Sequence, residues 1–230
     1  MSRSAAIAVA LSLGCAATAL ACDRASLDDE ALLDPATCQS CHPDHVREWS
    51  GSMHAHASDD PVFVALNALG QRATGGGLGT FCLGCHAPMA VAAGATADGL
   101  DLDQVPRHLR GVTCYACHRA VEVLALHNGA IDRAADGVER GGIADPIETP
   151  AHGSEATPLL SGAAVESSRV CGACPDVVLG NGVAVESTYA EWSETIFARD
   201  DAGTGLSCAA CHIPGRDGVA AAIPGAPARR

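Results

Sequence analysis

Five short cysteine pairs punctuate the chain and constrain everything else about it. Cys38-Gln39-Ser40-Cys41-His42, Cys82-Leu83-Gly84-Cys85-His86, Cys114-Tyr115-Ala116-Cys117-His118 and Cys208-Ala209-Ala210-Cys211-His212 are each C-x-x-C-H. Cys171-Gly172-Ala173-Cys174-Pro175 keeps the two thiols and has proline in place of the histidine. C-x-x-C-H is the attachment pattern of a c-type haem. Its two thiols add across the porphyrin vinyl groups as thioethers, and the adjacent imidazole lies against the porphyrin face, in axial reach of the iron. The intact copies predict four covalently bound haem c groups on Cys38, Cys41, Cys82, Cys85, Cys114, Cys117, Cys208 and Cys211. His42, His86, His118 and His212 are then the proximal iron ligands. The altered copy reads in two ways. It is a relic whose thiols form a disulfide or stay reduced, or it is a haem site whose iron draws its ligand from elsewhere.

The competing chemistry for repeated C-x-x-C is zinc binding or disulfide stapling. Zinc takes its ligands in fours, and each Cys-Cys-His triplet is one ligand short. Composition points the same way. Aromatic residues make up only 3% of 230 positions, against 12 Cys and 10 His. So few large apolar side chains make a thin core for this length, and porphyrins would fill the gap. The formal net charge of -13 argues against nucleic-acid partners, because like charge repels phosphate. It suits a basic patch on a redox partner protein. The chain has no Lys, which excludes the haem nitrite reductases in which a Lys replaces the motif His.

Residues 1–21 read as an export signal: Arg3, an Ala-rich apolar run, and Ala19-Leu20-Ala21 as cleavage site. Cys22 follows directly and suits a bacterial lipid anchor, the one predicted link to a membrane; the alternative is simple secretion. Export to the periplasm or cell envelope agrees with c-type haem attachment. Residues 22–36 read as an acidic tether, 37–214 as the multihaem domain, and 215–230 as a disordered tail. The sequence is silent on oligomeric state.

Within the domain, Pro43 to about Ala57 has helical spacing, with His42, His45, Trp49, Met53 and His56 near one face. Asp60-Pro61 opens the next helix and Gly70 is its expected stop, with Val62, Ala65, Leu66 and Leu69 as its apolar stripe. Asn128-Gly129 after an alternating run predicts a small β-hairpin. Residues 132–168 read as mostly irregular. Thr188 and Glu191 form a capping-box pattern. An internal repeat aligns Glu48-Trp49-Ser50-Gly51-Ser52-Met53-His54-Ala55 with Glu191-Trp192-Ser193-Glu194-Thr195-Ile196-Phe197-Ala198. The second copy lacks a His at Phe197 as well as at Pro175.

C-x-x-C-H-P at the first motif, then Trp49, Ser52 and His54, and later Gly111-Val112-Thr113-Cys114, resemble multihaem cytochromes of the cytochrome c-five-five-four family, which includes tetrahaem electron carriers. Gly142-Ile143-Ala144-Asp145-Pro146 through Thr149-Pro150-Ala151-His152 to Cys171, and Tyr189-Ala190-Glu191-Trp192 to Cys208, resemble related multihaem proteins. The likeness covers roughly residues 37–214. It implies a mainly α, loop-rich fold packed around covalently bound haems, with mainly bis-His ligation. Pro175 departs from that pattern.

Six histidines remain for the distal positions. The family pattern favours His54 and His152. Helical spacing favours His45 and His56 unless the helix breaks near Gly51. We rank His54 and His152 first, then His127, with His56, His108 and His45 behind; Met53 and Met89 are thioether alternatives that more often serve packing. The expected function is electron transfer between redox partners through coordinatively saturated haems. The alternative is an oxidoreductase acting on a small nitrogen compound (nitrite, hydroxylamine or nitric oxide) at a five-coordinate haem.

Overall fold

A computed structural model describes residues 26–200 and 203–229. The export signal, Cys22 and the start of the tether lie outside them. The described part of the tether is docked on the domain. Asp28 caps helix α1 (Asp29–Leu32) through the Ala31 N–H at 2.8 Å, and Asp34 caps α2 (Pro35–Cys38) through Ala36 N–H at 2.9 Å. Leu32 enters the core and the Leu27 N–H donates to the Ala151 carbonyl. The acidity that suggested a free tether is used for caps and for one ion pair described below.

Helix α3 (Pro43–Ser50) stops at Gly51. Ser52, extended, caps α4 (Met53–His56). The expected single helix to Ala57 is therefore two, broken where the glycine stands between serines. Asp60 caps α5 (Pro61–Thr74), accepting from Phe63 N–H at 2.8 Å. Gly70 does not end this helix. A Cβ there would meet Leu78 at 2.6 Å, so the glycine permits close approach, and the stop is Gly75 at φ +60°. The expected stripe is also turned outward: Val62, Leu66 and Leu69 are exposed, while Phe63, Asn67 and Gln71 are buried. The cause lies across the interface. Inward carbonyls of Gly79 and Asp98 need donors, and the Asn67 and Gln71 amides supply them at 2.7–2.9 Å.

Helices α6 (Leu83–His86), α7 (Pro88–Ala92) and α8 (Cys114–His118) follow. Strands β1 (Ala120–Val123) and β2 (Ile131–Arg133) pair antiparallel around a turn in which Asn128 and Gly129 take φ +58° and +71°, as the Asn-Gly signal predicted. Two further pairs were not foreseen. Strands β3 (Val138–Gly141) and β4 (Gly153–Ala156) run parallel inside the segment expected to be irregular. After α9 (Ser168–Gly172), β5 (Asp176–Val178) and β6 (Ala184–Ser187) run antiparallel.

Helix α10 (Thr188–Ser193) is capped from a distance instead of by its own box. The Asp176 carboxylate accepts from Tyr189 N–H at 2.6 Å and Ala190 N–H at 3.1 Å. Helix α11 (Cys208–His212) closes the domain. Residues 215–229, expected to be disordered, turn back onto the first motif.

The apolar core is small, as the composition implied. One cluster gathers Leu32, Phe63, Leu83, Met89, Leu102, Leu109 and Tyr115; a lesser one holds Val123, Val170 and Ala173. Met89 packs in the core, whereas Met53 is exposed. Among the described residues no helix is long and apolar enough to cross a membrane. The architecture is mainly α and loop-rich, with three two-stranded sheets among the described residues.

Candidate haem sites

Each thiol pair sits on a single helical turn. The Cys41 and His42 N–H groups donate back to the Cys38 carbonyl at 3.2 and 2.8 Å, and Cys85 and His86 do the same to Cys82 at 3.4 and 3.2 Å. Residues three and four apart on such a turn share a face, so two thiols and one imidazole converge. The altered copy keeps the first bond, from the Cys174 N–H to the Cys171 carbonyl at 3.1 Å. Pro175 has no N–H for the second.

Three of the four motif imidazoles are held in one tautomer. His42 Nδ1–H donates to the Ala220 carbonyl at 2.8 Å, His86 Nδ1–H to Ala57 at 2.8 Å and His118 Nδ1–H to Arg140 at 2.5 Å. A carbonyl partner on Nδ1 leaves the Nε2 lone pair for a metal, the usual arrangement of a metal-binding histidine. Phe63 stacks on the His86 ring with centroids 4.0 Å apart. Burial pulls His42 below the usual imidazole range, which favours the neutral, ligating form. These residues fit a c-type haem in kind, cysteines paired on one turn with an oriented imidazole beside them, although Cys41 is disulfide-bonded in this structure.

The remaining histidines separate by their partners. His152 also donates from Nδ1, to the Gly153 carbonyl at 2.9 Å, and its ring centroid lies 6.2 Å from that of His42 with planes 30° apart. His45 is 5.8 Å from His42 but edge-on at 84°. His56 is committed elsewhere, since its Nε2 takes the Ser50 carbonyl at 3.1 Å. His54 is exposed, and its carbonyl accepts the Val112 N–H at 2.8 Å. His127 is exposed beside the Asn128-Gly129 turn, and His108 is half-buried near Trp49.

Tertiary contacts gather the motifs. Cys38 and Cys114 lie side by side, which lowers Cys38 and raises Cys114; Cys85, whose thiol donates to the Cys174 carbonyl at 3.8 Å, is lowered by Cys174, which is itself raised. Burial pushes Cys171 up to about 12, with the neighbouring Cys208 and Cys117 adding to it. The altered copy therefore lies among the second, third and fourth motifs. Gly129 is wedged at this junction. Its N–H reaches the Ala173 carbonyl at 2.6 Å, and a Cβ on it would fall 2.7 Å from the Gly84 carbonyl. Ser168 on α9 accepts from Cys208 N–H at 3.0 Å, tying altered and fourth motifs together.

The internal repeat is structural as well. Ser52 hydroxyl and N–H both return to the Trp49 carbonyl at 2.7 and 2.9 Å; Thr195 returns to Trp192 at 2.7 and 2.9 Å. The His54 carbonyl accepts from Val112, two residues before Cys114. The Phe197 carbonyl accepts from Leu206, two residues before Cys208, at 2.9 Å. Phe197 thus holds the place of His54, and the third and fourth motifs correspond. Gly111 makes the first crossing feasible: it sits at φ +69°, and a Cβ would meet the His54 carbonyl at 2.6 Å. In the second copy, an apolar cavity of about 180 Å³ is lined by His212, Cys208, Pro175, Tyr189, Trp192 and Phe197.

Spacing patterns did not reveal the polar support beneath the third motif. Arg119 follows His118 directly and is fully buried, 0% exposed. It binds Asp29, Asp136 at 2.9 Å and Glu139 at 2.9 Å, and stacks over Tyr115 at 4.7 Å. Arg140, whose carbonyl holds His118, pairs with Asp136 at 2.6 Å and Glu155 at 3.1 Å. The only local signal was an arginine next to a motif histidine.

Fold and sites together define a multihaem c-type cytochrome. Residues 37–119 match the family described as cytochrome c554 and c-prime. Among solved structures, a penta-heme cytochrome c552 from Thermochromatium tepidum is similar in fold, with a TM-score of 0.52 and 23% identity. The match covers 88% of this chain and 55% of that one, so this chain spans about half that cytochrome's length. No curated protein matches the chain.

Proposed function

We propose that this protein is an extracytoplasmic electron carrier with four covalent haems, on Cys38/Cys41, Cys82/Cys85, Cys114/Cys117 and Cys208/Cys211. When bound, each haem supplies one-electron iron chemistry. The chain's own residues hold the groups, set their ligation and bring them near one another. His42, His86, His118 and His212 are the proximal ligands, with His54, His152 and His127 as distal ligands. The observation that carries this reading is the set of Nδ1–H bonds from three motif histidines to carbonyls, each presenting Nε2. Contacts among the motifs support rapid passage of an electron between neighbouring sites. The partners are redox proteins, and the formal charge of -13 favours basic docking patches on them. Residues 1–21 act as the export signal, and Cys22 carries the lipid anchor.

The test is the intact mass of the mature protein, made in a host with c-type haem assembly. Four added haems, each lost in turn with a Cys-to-Ala pair, is the expected result. No covalent haem would sink the reading. The same mass reports whether Cys22 is lipidated.

The apolar cavity beside His212 favours a second reading. Its lining includes no other imidazole, and Pro175 and Phe197 stand at the two places where histidines drop out of the repeat. A five-coordinate site acting on a small nitrogen compound would be sited here. High-spin ferric signal in the wild type, lost in His212→Ala, would favour it over the saturated carrier.

A further inference from the structure

The first motif is completed by a segment at the far end of the chain. Residues 218–229 form a small hairpin. The Ala220 N–H bonds the Pro227 carbonyl at 2.8 Å, the Arg229 N–H bonds the Gly218 carbonyl at 3.1 Å, and Val219 and Ala228 form an antiparallel bridge. The hairpin touches the motif through two backbone groups. The Ala220 carbonyl accepts His42 Nδ1–H at 2.8 Å, and the Ala222 N–H donates to the Cys41 carbonyl at 2.7 Å. A side-chain clamp holds it there. Arg229, 8% exposed, reaches Glu48 at 2.5 Å and Asp44 at 3.6 Å on α3, the helix that begins directly after His42. Arg216 adds a longer contact to Glu48 at 3.9 Å. His86 and His118 take their carbonyls from Ala57 and Arg140, inside the domain.

We propose that this C-terminal hairpin is the positioning element of the first haem site, and that the Ala220 carbonyl holds down the reduction potential of the haem on Cys38 and Cys41. A carbonyl on Nδ1–H fixes the ring and raises the basicity of the ligating nitrogen. A more basic ligand favours ferric over ferrous iron, so the potential falls. The clamp holds the hairpin where that bond forms. The inference rests on the reading of His42 as a haem ligand.

Two full-length variants test it. Ala222→Pro removes the N–H that bonds Cys41 and changes no charge. Arg229→Gln removes the clamp, and the loss of a positive charge by itself lowers a neighbouring potential. Loss of the Ala220 bond acts in the opposite sense. The expected result in a spectroelectrochemical titration is a rise of one component in both variants, with the others unmoved. The expected size is about tenfold in ferric-to-ferrous preference, or roughly 59 mV for one electron. The component that moves should be the one missing from a Cys38→Ala/Cys41→Ala protein. No change, or a fall, in either fully haem-loaded variant overturns the proposal. If the double cysteine variant loses no haem, the assignment of the first motif itself is wrong, which is a separate failure. Should Ala222→Pro not assemble, Arg229→Gln alone decides.

Discussion

The His42 and His152 imidazoles lie 6.2 Å apart, centroid to centroid, although 110 positions separate them in sequence. Both donate from Nδ1 to a carbonyl, so both leave Nε2 free. Two imidazoles on opposite sides of one metal, each nitrogen about 2 Å from it, have ring centres roughly 6 Å apart. The spacing suits two axial ligands of one iron. His152→Ala should convert one low-spin haem to high spin in the ferric EPR spectrum, and added imidazole should restore it. If His45→Ala gives that change and His152→Ala does not, the edge-on neighbour is the ligand instead.

The altered copy keeps its helical turn and its tie to α11. Pro175→His recreates C-x-x-C-H on that turn. The expected product has one more haem than the parent by intact mass. An unchanged mass with normal loading of the other motifs would show that residue 175 is not what closes the site.

Arg119 is a buried cation shared by three partly exposed carboxylates. Removing one member of a buried ion-pair network costs about 3 kcal/mol, because the others are left uncompensated. Arg119→Met should therefore lower the thermal midpoint by roughly 10 °C. Its Asp29 contact also pins the N-terminal helix, so proteolysis near residues 26–34 should speed up. A melting curve unchanged within 2 °C, on the order of 1 kcal/mol, would remove this role.

Arg140 beside Asp136 holds that carboxyl down to about 2 from the ordinary 3.8. A depressed folded value contributes stability above the unfolded pKa, which is lost as pH falls through the folded one. The window is therefore from about pH 4 down to about pH 2. Asp136 is 41% exposed, so solvent screening keeps the contribution below about 1 kcal/mol. In denaturant titrations at pH 5 and pH 2.5, Asp136→Asn should flatten this part of the acid dependence. An equally steep loss in the variant would assign the acid sensitivity to other groups.

Burial pushes the Cys171 thiol up to about 12. If the altered copy carries no haem and its thiols remain reduced, Cys171 should resist alkylation at pH 8 under native conditions and react once unfolded. The labelled mass checks this. Rapid native labelling would contradict the buried placement, and labelling in neither state would indicate a disulfide or a fifth haem.

The repeated C-x-x-C-H pattern reveals chemistry from sequence because attachment needs only one helical turn: two thiols, three residues apart, and the next imidazole. The cap at Asp60 and the Asn128-Gly129 turn were legible for the same reason, being local in cause. The face that α5 buries was not legible. The deciding partners, carbonyls of Gly79 and Asp98, come from separate loops. The capping box at Thr188 lost to Asp176, delivered by β5. Composition suggested a loose tail, yet a handful of backbone bonds and the largely covered Arg229 side chain set residues 218–229 on His42. Sequence alone therefore nominated the residues for haem attachment, since that chemistry is local. Tertiary structure decided which motifs meet, which carbonyls orient His42, His86 and His118, and that His152 lies beside His42. Those choices depend on contacts between segments far apart in the chain, and no short-range pattern encodes them.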